Sequence, residues 1–107
     1  MLFTGLTFTF LKQFFVGLWL TLPLLLSLAL AITVLGLAVG RQEGWPRLDS
    51  IYWSFITATT VGYGDIRPLR TKSRVVAIIV AFLGLTLSGI IIAVAVQAAT
   101  LALGMHR

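Results

Sequence analysis

The chain is expected to fold as an all-α membrane protein. Two long hydrophobic helices should be joined by a polar insert that contains a short re-entrant helix and a glycine-bearing loop. Three observations lead there. The 107 residues are 59% hydrophobic with a mean hydropathy of +1.05, against roughly 45–50% apolar content in ordinary soluble domains. The eight basic and three acidic residues leave two stretches, 13–40 and 75–105, without a formal charge. The charges gather between them, at Arg41, Glu43, Arg47, Asp49, Asp65, Arg67, Arg70, Lys72 and Arg74.

Residues 1–12, with Lys12 their only charge, read as an interfacial segment ahead of the first span. The outer helix is placed at 14–40. As helices the two uncharged stretches would reach about 42 and 46 Å, more than the ~30 Å hydrocarbon core, so tilt or protrusion is expected. The first stretch is too long for a signal-peptide core and has no basic segment directly before it, so it is read as part of the protein. Pro23 either kinks this helix or marks its true start. Gly36 and Gly40 form a GxxxG pair, read as a close helix contact. There is no cysteine, hence no disulfide or thiolate metal site, and the redox compartment is not legible.

"GWP" at Gly44 to Pro46 punctuates the chain, and Asp49 or Ser50 is the expected N-cap of a short helix over 50–59. Ten helical residues measure about 15 Å, half a membrane. Such a helix must lie in the interface or dip in and return. Ile51, Tyr52, Trp53, Phe55 and Ile56 make it apolar nearly all round, which favours dipping among other helices.

The return path is Thr60-Val61-Gly62-Tyr63-Gly64-Asp65. Non-helical backbone at membrane depth has carbonyls that protein or a hydrophilic cavity must meet. A dehydrated cation would satisfy them if the carbonyls of Thr60, Val61, Gly62 and Tyr63 faced one axis. That requires left-handed backbone at alternating positions, which Gly62 and Gly64 adopt readily. Val61 and Tyr63 would then pack back against the short helix. One strand presents oxygens on one side only, so several chains must surround the ion, and four would close the ring.

"TVGYG" followed by Asp65, after a short aromatic helix and between two hydrophobic helices, resembles the pore of the two-transmembrane, bacterial-type tetrameric potassium channels. In that family four TVGYG loops line the potassium filter. The resemblance covers nearly the whole chain. It implies a homotetramer with potassium ions, permeant and structural, at Thr60, Val61, Gly62 and Tyr63, and no other cofactor. Gly64 and Asp65 would close the outer mouth, and Tyr63 would decide selectivity. The C-terminal end of the short helix would point its partial negative charge at a central cavity. Tyr52 and Trp53 match the family's aromatic cuff, usually two tryptophans, with Trp53 reaching a Tyr63 hydroxyl and Tyr52 reaching Asp65. Ordinary interfacial aromatics are the alternative. Ile56 stands where some bacterial members have a glutamate that pairs with the filter aspartate, so that carboxyl pair cannot form here.

The inner helix is placed at 74–103. Gly84 falls where the family has its hinge glycine, with packing as the equal alternative, and packing is preferred at Gly89. Ser88, Ile92 and Val96 are candidates for the cavity and gate. Gln97 either lines the inner constriction or hydrogen-bonds between helices.

No base, nucleophile and orienting group occur together, so an enzyme is not expected. Charges confined between membrane helices do not point to nucleic acid. Arg70, Lys72 and Arg74 suit anionic lipid headgroups. No helix has the basic periodicity of a voltage sensor, and the gating stimulus and resting state are not legible. His106 is the one group that ordinarily titrates near neutral pH, with no role assigned. The alternatives to a potassium channel are a nonselective cation channel and a helix-hairpin accessory protein. Six of the eight Lys and Arg lie in the insert, which by loop charge would be cytoplasmic. The family orientation is preferred, with the chain in the cell membrane and the filter mouth outside.

Overall fold

A computed structural model describes residues 2–105, so His106 lies outside the described residues. Among the described residues all regular structure is helical: α1 (Leu2–Leu20), α2 (Leu22–Glu43), α3 (Arg47–Ala58) and α4 (Thr71–Met105). Three of these, α1, α2 and α4, are long and apolar enough to cross a membrane, where the sequence predicted two. The single outer helix expected at 14–40 is divided at Thr21. Pro23 has no N–H to offer the Trp19 carbonyl, and the Thr21 hydroxyl donates to the carbonyls of Gly17 (2.8 Å) and Leu18 (3.3 Å). Such back-bonding bends helices. The ladder nevertheless continues on both sides, with Thr21 N–H to Gly17 C=O at 3.1 Å and Leu25 N–H to Thr21 C=O at 3.0 Å. Residues 1–12, read as an interfacial segment, fall within α1 from Leu2 onward. At 35 residues α4 is about 52 Å long and exceeds the hydrocarbon thickness.

The described residues form two compact units, 2–25 with 89–105, and 26–88. In the second, α3 lies against α2 and the first half of α4, around a core of Ile32, Val39, Trp53, Ala58 and Val80. Small residues make this packing possible. A Cβ on Gly36 would collide with the Ser54 side chain, and one on Gly40 with that of Ser50. The GxxxG of α2 is therefore a groove that receives the Ser50/Ser54 ridge of α3. Both serines are buried and turn their hydroxyls inward along their own helix, Ser50 to Pro46 C=O at 3.1 Å and Ser54 to Ser50 C=O at 2.7 Å.

The boundaries of α3 differ from the sequence reading. The expected N-cap, Asp49 or Ser50, lies inside the first turn, and Pro46 occupies the cap without a side-chain hydrogen bond. The chain is delivered there by the "GWP" punctuation. Gly44 has φ +77° and Trp45 N–H bonds back to Gly40 C=O at 2.9 Å, a Schellman end to α2. From the same end, Glu43 reaches the start of α4. Its carboxylate accepts the N–H of Leu69 (2.6 Å) and of Arg70 (3.3 Å) and the Ser73 hydroxyl (3.1 Å). Ser73 is fully buried and also reaches Gln42 Oε1 at 2.9 Å.

In the first unit α1 runs antiparallel to residues 89–105 of α4. Gly17 lies at Val94, and Leu6, Thr7 and Phe10 share a cleft with Ala99, Ala102 and Leu103. Ala98 and Ala102 are buried there.

Candidate ion-binding site

The site begins in how α3 ends. After the C-cap Thr59, Thr60 takes a left-handed φ of +65°. Thr60 N–H bonds to Thr57 C=O (3.1 Å), Val61 N–H to Ile56 C=O (3.1 Å), and Gly62 N–H to the same Ile56 carbonyl (3.2 Å). The first two bonds are those of a Schellman motif, but the left-handed position is filled by a β-branched residue where glycine is usual. The sequence reading assigned left-handed backbone to Gly62 and Gly64, which have φ +54° and +82°. It missed Thr60, because nothing local recommends threonine for that conformation.

These bonds fix the direction of the carbonyls. The peptide units are trans, so each carbonyl points opposite to the N–H that follows it. With the N–H groups of Thr60, Val61 and Gly62 turned to the last turn of α3, the carbonyls of Thr59, Thr60 and Val61 are turned away from that turn. Alternate residues 60, 62 and 64 have positive φ, the alternation expected for a run of same-sided oxygens. No atom comes within 4 Å of a Cβ built on Gly62 or Gly64, so backbone conformation is the demand at these two positions.

The remaining residues predicted for the site fall as follows. Val61 is 49% and Tyr63 70% exposed, rather than packed behind the loop as expected, since within one chain only α3 backs them. Tyr63, Gly64 and Asp65 line a cleft of about 150 Å³ with Tyr52, Trp53 and Ile56. Tyr52 and Asp65 line this same cleft. Desolvation first, then the neighbouring Asp65 carboxylate, push the Tyr52 phenol above the ordinary tyrosine range. Trp53 is buried and meets Trp45, with ring centroids 5.5 Å apart and planes at 58°.

On α4, Gly84 is a contact position, since a Cβ there would collide with the Ala58 backbone at the end of α3. The packing preferred for Gly89 is not made within the chain, and the space at its Cβ position is open. Ile92 and Val96 are 62% and 61% exposed. Gln97 borders a cleft of about 180 Å³ with Gln13, Gly17 and Thr21 of the α1 end.

Three helices of spanning length and apolarity, beside one of half that length, define a membrane protein. The chain belongs to an ion channel family: the Ion_trans_2 model, described as "Ion channel", matches residues 1–100. It is 37% identical over 70 residues to TWiK family of potassium channels protein 7 of Caenorhabditis elegans, covering 63% of this chain and 13% of that protein. It is 43% identical over 53 residues to Potassium channel AKT1 of Arabidopsis thaliana, covering 49% and 6%. To a Voltage-gated potassium channel of Aeropyrum pernix it is 42% identical over 38 residues, covering 36% and 13%. The chain thus spans at most about an eighth of the length of these relatives. No solved structure matches it.

Proposed function

We propose that four copies of this chain form a potassium-selective pore through which dehydrated K+ passes down its gradient. The observation that carries this reading is the turn of three successive N–H groups toward the end of α3, which leaves the carbonyls of Thr59, Thr60 and Val61 facing away together. Four such loops about one axis would replace an ion's hydration shell. The ion sites are assigned to Thr60, Val61, Gly62 and Tyr63, of which the first two have carbonyls turned by these bonds, with Gly64 and Asp65 at the outer mouth and Tyr52 and Trp53 bracing the loop. The C-terminal end of α3 adds a partial negative charge on the approach. The relatives' names, all potassium channels, support potassium as the ion. The chain acts as a channel and not as an enzyme, in the cell membrane with Asp65 outward.

For gating, the contact of Gly84 with Ala58 favours packing over a free hinge there. Gly89, with open space at its Cβ position, and Gln97, which borders the cleft beside the end of α1, stay the gating candidates.

The deciding experiment is the reversal potential of the purified protein in a planar bilayer with potassium on one side and sodium on the other. A value close to the potassium limit is expected. A clear current reversing near zero would leave a cation pore and overturn the selectivity assigned to Tyr63 and its neighbours.

A further inference from the structure

The cleft of about 180 Å³ between α1 and the later part of α4 holds two amides, Gln13 and Gln97, among apolar neighbours, chiefly Val16, Leu20, Val94 and Leu101. Gln13, Gly17 and Thr21 share one face of α1, and Val94, Gln97 and Leu101 one face of α4, each at three- or four-residue steps. The helices touch at Gly17, where a Cβ would collide with the Val94 side chain. The cleft is the space beside that contact.

Among the described residues neither amide makes a hydrogen bond, and the Thr21 hydroxyl beside them is turned to the carbonyls of Gly17 and Leu18. Each amide offers two N–H donors and a carbonyl acceptor, which apolar walls cannot meet. None of the lining residues is charged, so a carboxylate or an ammonium would enter without an opposite charge. A helix of another copy, about 10–12 Å across, is too wide. A hydrocarbon would leave the amides unmet, and water would leave Val16, Leu20, Val94 and Leu101 wet. One hydroxyl on a small apolar body satisfies both demands. The size agrees, since a cavity of about 150 Å³ holds a benzene ring. Lys12, next to Gln13, is exposed and keeps its ammonium in water. Gln13 therefore lies near the membrane surface, the level at which a molecule with one wet and one apolar end settles.

We propose that this cleft binds a small neutral monohydric alcohol from the membrane surface, of the size of benzyl alcohol. Its hydroxyl donates to the amide oxygen of one glutamine and accepts an amide N–H of the other. Its apolar body lies against Val16, Leu20, Val94 and Leu101. The bound molecule joins α1 to the later part of α4. This assignment is independent of the ion selectivity of the pore.

The test uses the full chain in vesicles, photolabelled with a diazirine-bearing benzyl alcohol, and the adducts are located by mass spectrometry. Adducts are expected within residues 13–21 and 94–101. Excess benzyl alcohol should displace them, and toluene, which has the ring without the hydroxyl, about fivefold less well at equal membrane concentration. Gln13→Leu and Gln97→Leu should each lower the labelling about fivefold, while Thr7→Val, on the same helix outside the cleft, leaves it unchanged. Equal displacement by toluene and benzyl alcohol in the parent chain would overturn the proposal without any variant having to fold. So would labelling that neither glutamine affects, adducts that excess benzyl alcohol does not displace, as label merely dissolved in lipid would give, or no adducts in these segments, as a copy sealing the cleft would give.

Discussion

Thr60 and Gly44 occupy the same place in the same motif, the left-handed residue just beyond a helix C-cap, with φ +65° and +77°. Glycine there is the low-energy choice. A side chain with a Cβ costs roughly 1–2 kcal/mol, and a non-glycine residue held so persists where the surroundings over-determine it, often at functional positions. The hydroxyl at the inner end of the loop is a reason to hold it. Thr60→Gly should therefore raise thermal stability by up to about 1.5 kcal/mol, once glycine's own entropic penalty of about 0.5–1 kcal/mol is subtracted, while lowering potassium over sodium selectivity. Melting temperature and reversal potential, measured on the same preparation, check the two halves separately. A variant that loses stability and keeps full selectivity would show that the threonine has a structural role only.

Between elements, the contacts turn on small residues, and the two inner-helix glycines differ sharply. Gly84→Ala would push a methyl into the Ala58 backbone, which has no rotamer to swing aside, so α3 and α4 must part at a cost of about 1–3 kcal/mol. Gly89→Ala meets open space and should stabilise the helix by up to about 1 kcal/mol. Thermal denaturation in detergent should therefore move in opposite directions for the two variants, and equal shifts would refute the contact at Gly84. The sequence made the GxxxG of α2 legible as a contact, because spacing alone reports close approach. Its receiving ridge, Ser50 and Ser54, was not legible, since serine at that spacing equally suits an exposed face. The break at Thr21 was hidden for a related reason. Hydropathy registers Thr and Pro only weakly within an apolar run, whereas the backbone registers the missing N–H of Pro23. Glu43 needed the fold outright, because its partners lie 26 to 30 residues away and no local pattern joins them. The loop was the most legible part, as its glycines state their backbone conformations directly.

For the whole molecule, the proposed ion site needs more walls than the one a single chain would supply. The carbonyls of Thr59, Thr60 and Val61 turn away from α3, and Tyr63 at 70% exposure and Val61 at 49% stay open within the chain. On α4, Phe82, Leu85, Ile92 and Val96 remain more than half exposed, apolar surface that lipid or neighbouring copies must cover. If four copies assemble and share bound potassium, the ion stabilises the assembled state and not the separated chains. Linkage then requires the dissociation temperature to rise with potassium, by the equivalent of about 2.7 kcal/mol for each site at one hundred times its dissociation constant. Sodium at equal ionic strength should leave it unmoved. Gly62→Ala, which strains the loop at φ +54°, should abolish the potassium dependence. Gly44→Ala, equally strained but remote from the loop, should lower the temperature and keep the dependence. Light scattering in detergent gives the mass, and heating in potassium and in sodium gives the linkage. A monomeric or dimeric mass, or equal stabilisation by the two ions, would remove the shared site from which selectivity was argued.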